Sequence, residues 1–130
     1  ITWFQTARYT SSSLYLVNNI GLNDITGTVV AFADFNSDKY TDLIVLNADQ
    51  TTISIYLWDH ASYKFTKAPS ADITITTDGN NAGFLITNVL PGDYNYDGIL
   101  DVMIMGQASP GDSSGELYMR VYMGSGNNTF

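Results

Sequence analysis

Polar and apolar residues alternate along three stretches of the chain, and a period of two is the mark of a strand with one face in a core. Thr52-Ile53-Ser54-Ile55-Tyr56-Leu57-Trp58 alternates through its first half, and Asp72-Ile73-Thr74-Ile75-Thr76 throughout. Leu117-Tyr118-Met119-Arg120-Val121-Tyr122-Met123 places Leu117, Met119, Val121 and Met123 on one face. Leu43-Ile44-Val45-Leu46 and Val102-Met103-Ile104-Met105 are continuously apolar, which predicts strands buried on both faces. A further strand is expected at Ser13-Leu14-Tyr15-Leu16-Val17. No stretch carries a 3.6-residue apolar stripe, so no helix is expected. Turn-forming clusters separate the strands: Asn47-Ala48-Asp49-Gln50, Asp59-His60-Ala61-Ser62, Asp78-Gly79-Asn80-Asn81 and the segment Ser109–Gly115. Short strands with frequent turns predict an all-β sandwich, barrel or propeller.

The chain repeats itself. Phe32-Ala33-Asp34-Phe35-Asn36-Ser37-Asp38 through Leu46 aligns without a gap on Pro91-Gly92-Asp93-Tyr94-Asn95-Tyr96-Asp97 through Met105, at an offset of 59 (Asp34 to Asp93). Ser54-Ile55-Tyr56-Leu57 then resembles Arg120-Val121-Tyr122-Met123 at an offset of 66 (Ile55 to Val121), the extra length falling in the Ser109–Gly115 loop. A period near 60 with about four strands per unit is the size of a propeller blade.

Each unit contains Asp-x-Asn-x-Asp-x-x-x-Asp: Asp34, Asn36, Asp38 and Asp42 in the first, Asp93, Asn95, Asp97 and Asp101 in the second. In a tight loop, oxygens from positions 1, 3 and 5 converge. The backbone carbonyl of position 7 (Tyr40, Ile99) joins them, and the carboxylate of position 9 closes the shell as the next strand begins. Several hard oxygen ligands in a flexible cage suit Ca²⁺ better than Mg²⁺, which demands a rigid octahedron. Without a cation, three carboxylates in nine residues repel one another. Two Ca²⁺ sites are therefore expected, with the aromatic at position 2 (Phe35, Tyr94) rooting each loop in a core. Simple turn capping by Asp and Asn is the plainer reading of one such loop. Two loops with the same ligand types at one offset favour the metal. An EF-hand is excluded, since position 12 is Val45 or Ile104 where a bidentate Glu would be needed.

Composition narrows the function. The 130 residues carry 13 Asp+Glu against 5 Lys+Arg, a formal charge of −8, which opposes binding to a phosphate backbone. Twelve of the acids are Asp, the turn former, and only Glu116 is Glu. With 45% hydrophobic residues the chain can bury a core. It has no Cys, hence no disulfide or thiolate site, and its single His excludes a multi-His zinc centre. No apolar run approaches the roughly 20 residues of a membrane-spanning helix. An opening Ile1 in place of Met, with no visible signal peptide, is expected of a mature form or a piece of something longer.

On the residues Ala31–Leu46 and Val89–Met105 the chain resembles FG-GAP repeats, the calcium-loop blades of integrin-α-type propellers. The resemblance covers about Thr26 to Gly124. It implies two four-stranded blades, residues 26–83 and 84–130, after an extension of residues 1–25. It implies that the eight Asp and Asn side chains above are Ca²⁺ ligands. Such propellers have about seven blades, and two cannot close a ring. The chain is then part of a larger propeller or is completed by identical neighbouring chains. The implied function is adhesion or recognition outside the cell or at its surface, toward a cell-surface protein or glycan, with no catalysis. A second reading, from another class, is a structural extracellular protein that stacks blade on blade into a fibre or array. A third is a propeller lectin with sugars held at aromatic pockets between blades. Self-association is expected from two bare apolar faces: Ile53, Ile55 and Leu57 on one unit, and Leu117, Met119, Val121 and Met123 on the other.

Weaker signals remain. Asn127-Asn128-Thr129 is an N-glycosylation sequon, meaningful in a secreted protein. Asp59, His60 and Ser62 are read as a hairpin turn, because three neighbours in one loop cannot form a catalytic triad. Asp112 and Glu116 have nothing around them to support a glycosidase pair. The methionines are read as core filling.

Overall fold

Each apolar run of the sequence becomes the middle strand of an antiparallel sheet. The computed structural model describes residues 20–23, 25–75, 84–108 and 115–130, and among these it contains eight strands and no helix. The first sheet is built from β1 (Thr28–Ala33), β2 (Asp42–Leu46), β3 (Thr52–Asp59), β4 (Lys64–Lys67) and β5 (Ile73–Thr74). The second is built from β6 (Phe84–Gly92), β7 (Asp101–Ala108) and β8 (Leu117–Tyr122), in that order. The expected strand at residues 13–17 and the turn at residues 78–81 lie outside the described residues, as do residues 109–114 of the long loop.

The repeat is structural. Ala33 pairs with Asp42 and Gly92 with Asp101, both members 59 residues on. Leu43 pairs with Tyr56 and Val102 with Tyr122, which carries the offsets of 59 and 66 into the second hairpin. Both first strands carry a one-residue bulge, between Val29 and Ala31 in β1 and between Ile86 and Asn88 in β6.

β4 and β5 lie along the same side of β3 and act as one interrupted outer strand. From Tyr56↔Lys67 to Ile53↔Ile73 the register advances three residues on β3 (56 − 53) but six on the partner (73 − 67). The excess loops out around Pro69, which has no N–H for the ladder. Ala68 N still donates to Ile55 O (2.8 Å) and Ile75 N to Thr51 O (2.9 Å). The strand expected over Asp72–Thr76 is short, because its register runs off the start of β3 after Thr74↔Thr52. The first sheet thus has the expected four-strand meander, its last strand broken; the second has three strands among the described residues.

The two sheets share one core. Ile44, Ile53, Ile55 and Ile73 of the first pack against Ile86, Val89, Val102 and Ile104 of the second. Ile86 N also donates to Gln50 O across the junction (2.7 Å). The faces in contact are not equivalent. Ile44, Ile53 and Ile55 correspond to Met103, Met119 and Val121, which lie on the opposite face of the second sheet. The contact is head-to-tail, the kind that propagates from unit to unit.

This packing corrects two expectations. Ile53 and Ile55 form no bare face; they are buried against the second sheet, with Leu57 beside them. β2 is buried on both faces as expected from Leu43 to Val45, but β7 is not, since Met103 and Met105 stand on its open side and are half-buried. Of the other expected bare face, Leu117, Met119 and Met123 are exposed and Val121 is half-buried, so Met119 and Met123 are not the core filling that was expected. On the far side of the first sheet, Ile20 packs on Leu43 and Phe65, and Phe65 N donates to Ile20 O (2.7 Å). Gly21 permits that approach: its φ is +86°, and a Cβ there would come within 2.3 Å of Phe65 O.

Candidate functional site

The Asp-rich loops are the β1–β2 and β6–β7 connections, residues 34–42 and 93–101. Their first residues leave an edge strand and their last residues open the buried middle strand, so the local sequence decides how nine residues reverse direction. The first loop closes on its own carboxylates. Asp34 accepts Asp38 N (3.1 Å) and Lys39 N (2.9 Å), one on each oxygen. Asn36 Oδ1 accepts Asp38 N (3.2 Å), and its Nδ2 donates to Asp38 (2.7 Å). Asp38 also accepts Tyr40 N (2.8 Å). The second loop repeats every bond: Asp93 with Asp97 N (3.1 Å) and Gly98 N (2.9 Å), Asn95 with Asp97 (3.1 and 2.7 Å), and Asp97 with Ile99 N (2.8 Å). Two residues in each loop take the left-handed backbone that such closure needs, Ser37 and Lys39 in one, Tyr96 and Gly98 in the other.

Position 9 is set apart from the rest. Asp42 is fully buried, and its two oxygens accept Phe35 N and Trp58 N, both at 2.8 Å. Asp101 is fully buried too, and accepts Tyr94 N (2.8 Å) and Gly124 N (2.9 Å). Each carboxylate therefore ties the start of its loop to the end of the third strand of its unit. Burial pushes the Asp42 carboxyl above the usual carboxylate range; the two N–H bonds oppose this, and the charges of Asp38 and Asp34 add to it.

The position-2 aromatics differ. Phe35 packs against the common core and meets Phe130 edge-on at 6.5 Å, as expected. Tyr94 does not root its loop in a core: it is exposed and turns back on β6, where its hydroxyl donates to Leu90 O (3.2 Å). The position-7 residues, Tyr40 and Ile99, face the turn after the third strand. Tyr40 stacks on His60, and a Cβ at Gly126 would lie 3.3 Å from Ile99.

Among the described residues no three acidic or imidazole side chains converge on one point; the carboxylates are turned onto the loop amides. The donor chemistry fits a hard cation nonetheless. Every side-chain donor is an oxygen, and a carboxylate oxygen that accepts one N–H keeps a lone pair. An ion pair, Lys67 with Asp72 at 2.8 Å, lies outside both loops.

Asp59, His60 and Ser62 form a turn, with Asp59 accepting Ala61 N (2.9 Å) and the Ser62 hydroxyl (2.6 Å). Asn127 is exposed in a turn closed by Ser125 N on Thr129 O (2.9 Å). Sequence reasoning missed the aromatic role of His60. The signal was available in the repeat, where Tyr40 and His60 align with Ile99 and Gly126.

A family model described as FG-GAP-like repeat matches residues 34–104. T-cell immunomodulatory protein of Homo sapiens is 38% identical over 78 residues, which cover 60% of this chain and 12% of that protein. The T-cell immunomodulatory protein homolog of Plasmodium falciparum (isolate 3D7) is 32% identical over 120 residues, 88% of this chain and 15% of that protein. Protein linkin of Caenorhabditis elegans is 40% identical over 86 residues, 62% of this chain and 14% of its own length. The chain spans 12–15% of the length of these relatives. No solved structure matches it.

Proposed function

The chain belongs to the FG-GAP-like repeat family, and from that premise we propose that it is a calcium-binding recognition or adhesion module of propeller type, acting outside the cell or at its surface. The observation that carries the metal is the pair of loops: the same donors, closed by the same hydrogen bonds, at one offset. Ca²⁺ would be held by Asp34, Asn36, Asp38 and Asp42 with the Tyr40 carbonyl, and by Asp93, Asn95, Asp97 and Asp101 with the Ile99 carbonyl. Its role there is structural, drawing together carboxylates that otherwise repel. Two ions would reduce the formal charge from −8 to −4. Loops of this kind in extracellular modules bind calcium at about 10⁻⁴–10⁻³ M, so they fill where calcium is abundant. The same reading places any glycan on Asn127.

Ligand that binds only the folded state stabilises it by about 2.7 kcal/mol per site at 100 times its dissociation constant. Thermal melts of metal-free chain, confirmed by elemental analysis, should therefore rise by several degrees in calcium over chelator. Calorimetry should count two ions, falling to one in Asp34→Asn or in Asp93→Asn. Superimposable melts would sink the metal reading.

The partners follow from the head-to-tail contact of the sheets. The face of the second sheet that carries Met103, Met119 and Val121 corresponds to the buried face of the first. We read it as the seat of a further blade, of the same polypeptide or of an identical neighbour. Blade-on-blade assembly is thus a second reading, and light scattering over a concentration series checks it: a constant monomer mass would remove it.

A further inference from the structure

The turn between β3 and β4 carries a row of rings that the repeat does not require. Tyr40 stacks on His60 with ring centres 4.7 Å apart and planes 11° from parallel. The row continues from His60 to Tyr63 at 5.3 Å and a tilt of 49°. Tyr63 meets Trp58 edge-on at 6.3 Å, and Trp58 lies 4.8 Å from buried Phe65. One end is thus anchored in the core. The other is open, with Tyr40 and His60 exposed and Tyr63 58% exposed. The second unit builds the same corner from Ile99 and Gly126. No aromatic ring takes either of those two positions there, so the repeat does not by itself account for three exposed rings. Tyr63 also sits at φ 56°, a backbone conformation bulky residues rarely adopt, and its ring gains little burial in return.

The edge of the row holds groups of both signs. The Asp59 carboxylate is fixed by Ala61 N and the Ser62 hydroxyl. Its cross-strand partner is Lys64, and Lys39 precedes Tyr40 in the loop. Neither lysine forms an ion pair among the described residues. With Asp38, which accepts Tyr40 N (2.8 Å), two carboxylates stand against the two lysines, and balanced charge selects neither a cation nor an anion. What remains is an aromatic surface with hydrogen-bond donors and acceptors at its rim. A pyranose presents the complement, a flat C–H face bordered by hydroxyls that both donate and accept.

We infer that the Tyr40–His60–Tyr63 row, rimmed by Asp59 and Lys64, is a carbohydrate-binding surface for a pyranoside with an unbroken C–H face. The inference rests on the recognition role proposed above and names its ligand class; it does not depend on calcium being the loop ion. Because Tyr40 is carried by the first loop, the order of that loop also sets the order of the surface.

The test is an NMR titration of the full chain in calcium with cellotriose, followed in parallel by tryptophan fluorescence. Saturable shifts centred on Tyr40 and on Trp58–Lys64 are expected, with a dissociation constant of about 1 mM. Tyr63→Ala and His60→Ala, both at exposed positions, should weaken binding at least about tenfold, or about 1.4 kcal/mol, while still binding two calcium ions by calorimetry. Absence of shifts with both cellotriose and N-acetylchitotriose overturns the inference, as do shifts that survive Tyr63→Ala. Shifts given by acetyl-arginine amide and by neither sugar also overturn it, assigning the surface to a basic protein segment. Lost sugar binding with calcium binding intact rejects only this site; lost calcium binding with sugar binding intact rejects only the metal.

Discussion

The first repeat unit buries the face that the second leaves open. Ile53 is 0% exposed, whereas Met119, its equivalent 66 residues on, is 65% exposed. Both side chains stand at the same register of the same strand in an antiparallel meander. What differs is the neighbour: the second sheet covers Ile53, and nothing among the described residues covers Met119. The loops show the reverse. One is rooted in the core by Phe35 and the other turns Tyr94 outward, yet their corresponding hydrogen bonds agree to within 0.1 Å. Loop shape is therefore set by nine residues acting locally, whereas burial of a face is set by what stacks on it.

The comparison of faces breaks most sharply with one substitution made twice. Ile53→Lys places an unpaired ammonium in the shared core and should cost about 4 kcal/mol or more, enough to unfold a domain of ordinary stability. Met119→Lys at the equivalent position should change stability by no more than about 0.5 kcal/mol while suppressing self-association in light scattering. Urea melts of the pair decide it. Similar destabilisation by both would mean that the Met119 face is also packed.

The comparison of loops is sharpened by the buried carboxylates. Asp42→Ala or Asp101→Ala leaves two N–H groups without their acceptor, so each should cost about 3 kcal/mol, measured in excess chelator to separate the effect from any metal. The loss should be greater at Asp42. Its Trp58 bond fixes a residue whose ring packs on Phe65, while the Gly124 bond of Asp101 fixes a residue with no side chain. Equal losses would show that the bonds alone matter and the ring packing does not.

The closure of the loops was legible in the plainer reading of the sequence, turn capping, because its logic is local: the side-chain oxygens of positions 1, 3 and 5 meet amides of the same turn. Strand order and the two offsets were legible because the repeat is ungapped through the first hairpin. The packed face of β3 was not. Alternation shows that Ile53 and Ile55 share a side, but not which side meets a neighbour, and that followed from the head-to-tail stacking of the sheets. The part played by Asp42 and Asp101 was only half visible. Spacing brings them to the loop, but their bonds to Trp58 and Gly124 span 16 and 23 residues and depend on the register of the following hairpin. The aromatic row was hidden for the same reason, since Tyr40 and His60 meet only after β2 and β3 pair.

The smallest effect tests whether the loops are interchangeable in their backbone. At position 6 both are left-handed, with φ 72° at Lys39 and 83° at Gly98. An L-residue in that region crowds its Cβ against the carbonyl oxygen, at a cost of roughly 1 kcal/mol that glycine avoids. Glycine in turn has a more disordered unfolded chain, which offsets part of the gain. Lys39→Gly should therefore stabilise by about 0.5 kcal/mol, and Gly98→Ala should destabilise by a similar amount. Space does not enter at Gly98, because a Cβ there meets nothing within 4 Å. The two changes should nearly cancel when combined, since they lie in separate loops with no shared partner. Chemical melts of the two single variants and the double variant check this. If Lys39→Gly instead destabilises, the lysine side chain contributes more to the first loop than its backbone conformation costs, and the two loops are not equivalent at the one position where their sequences differ most in freedom.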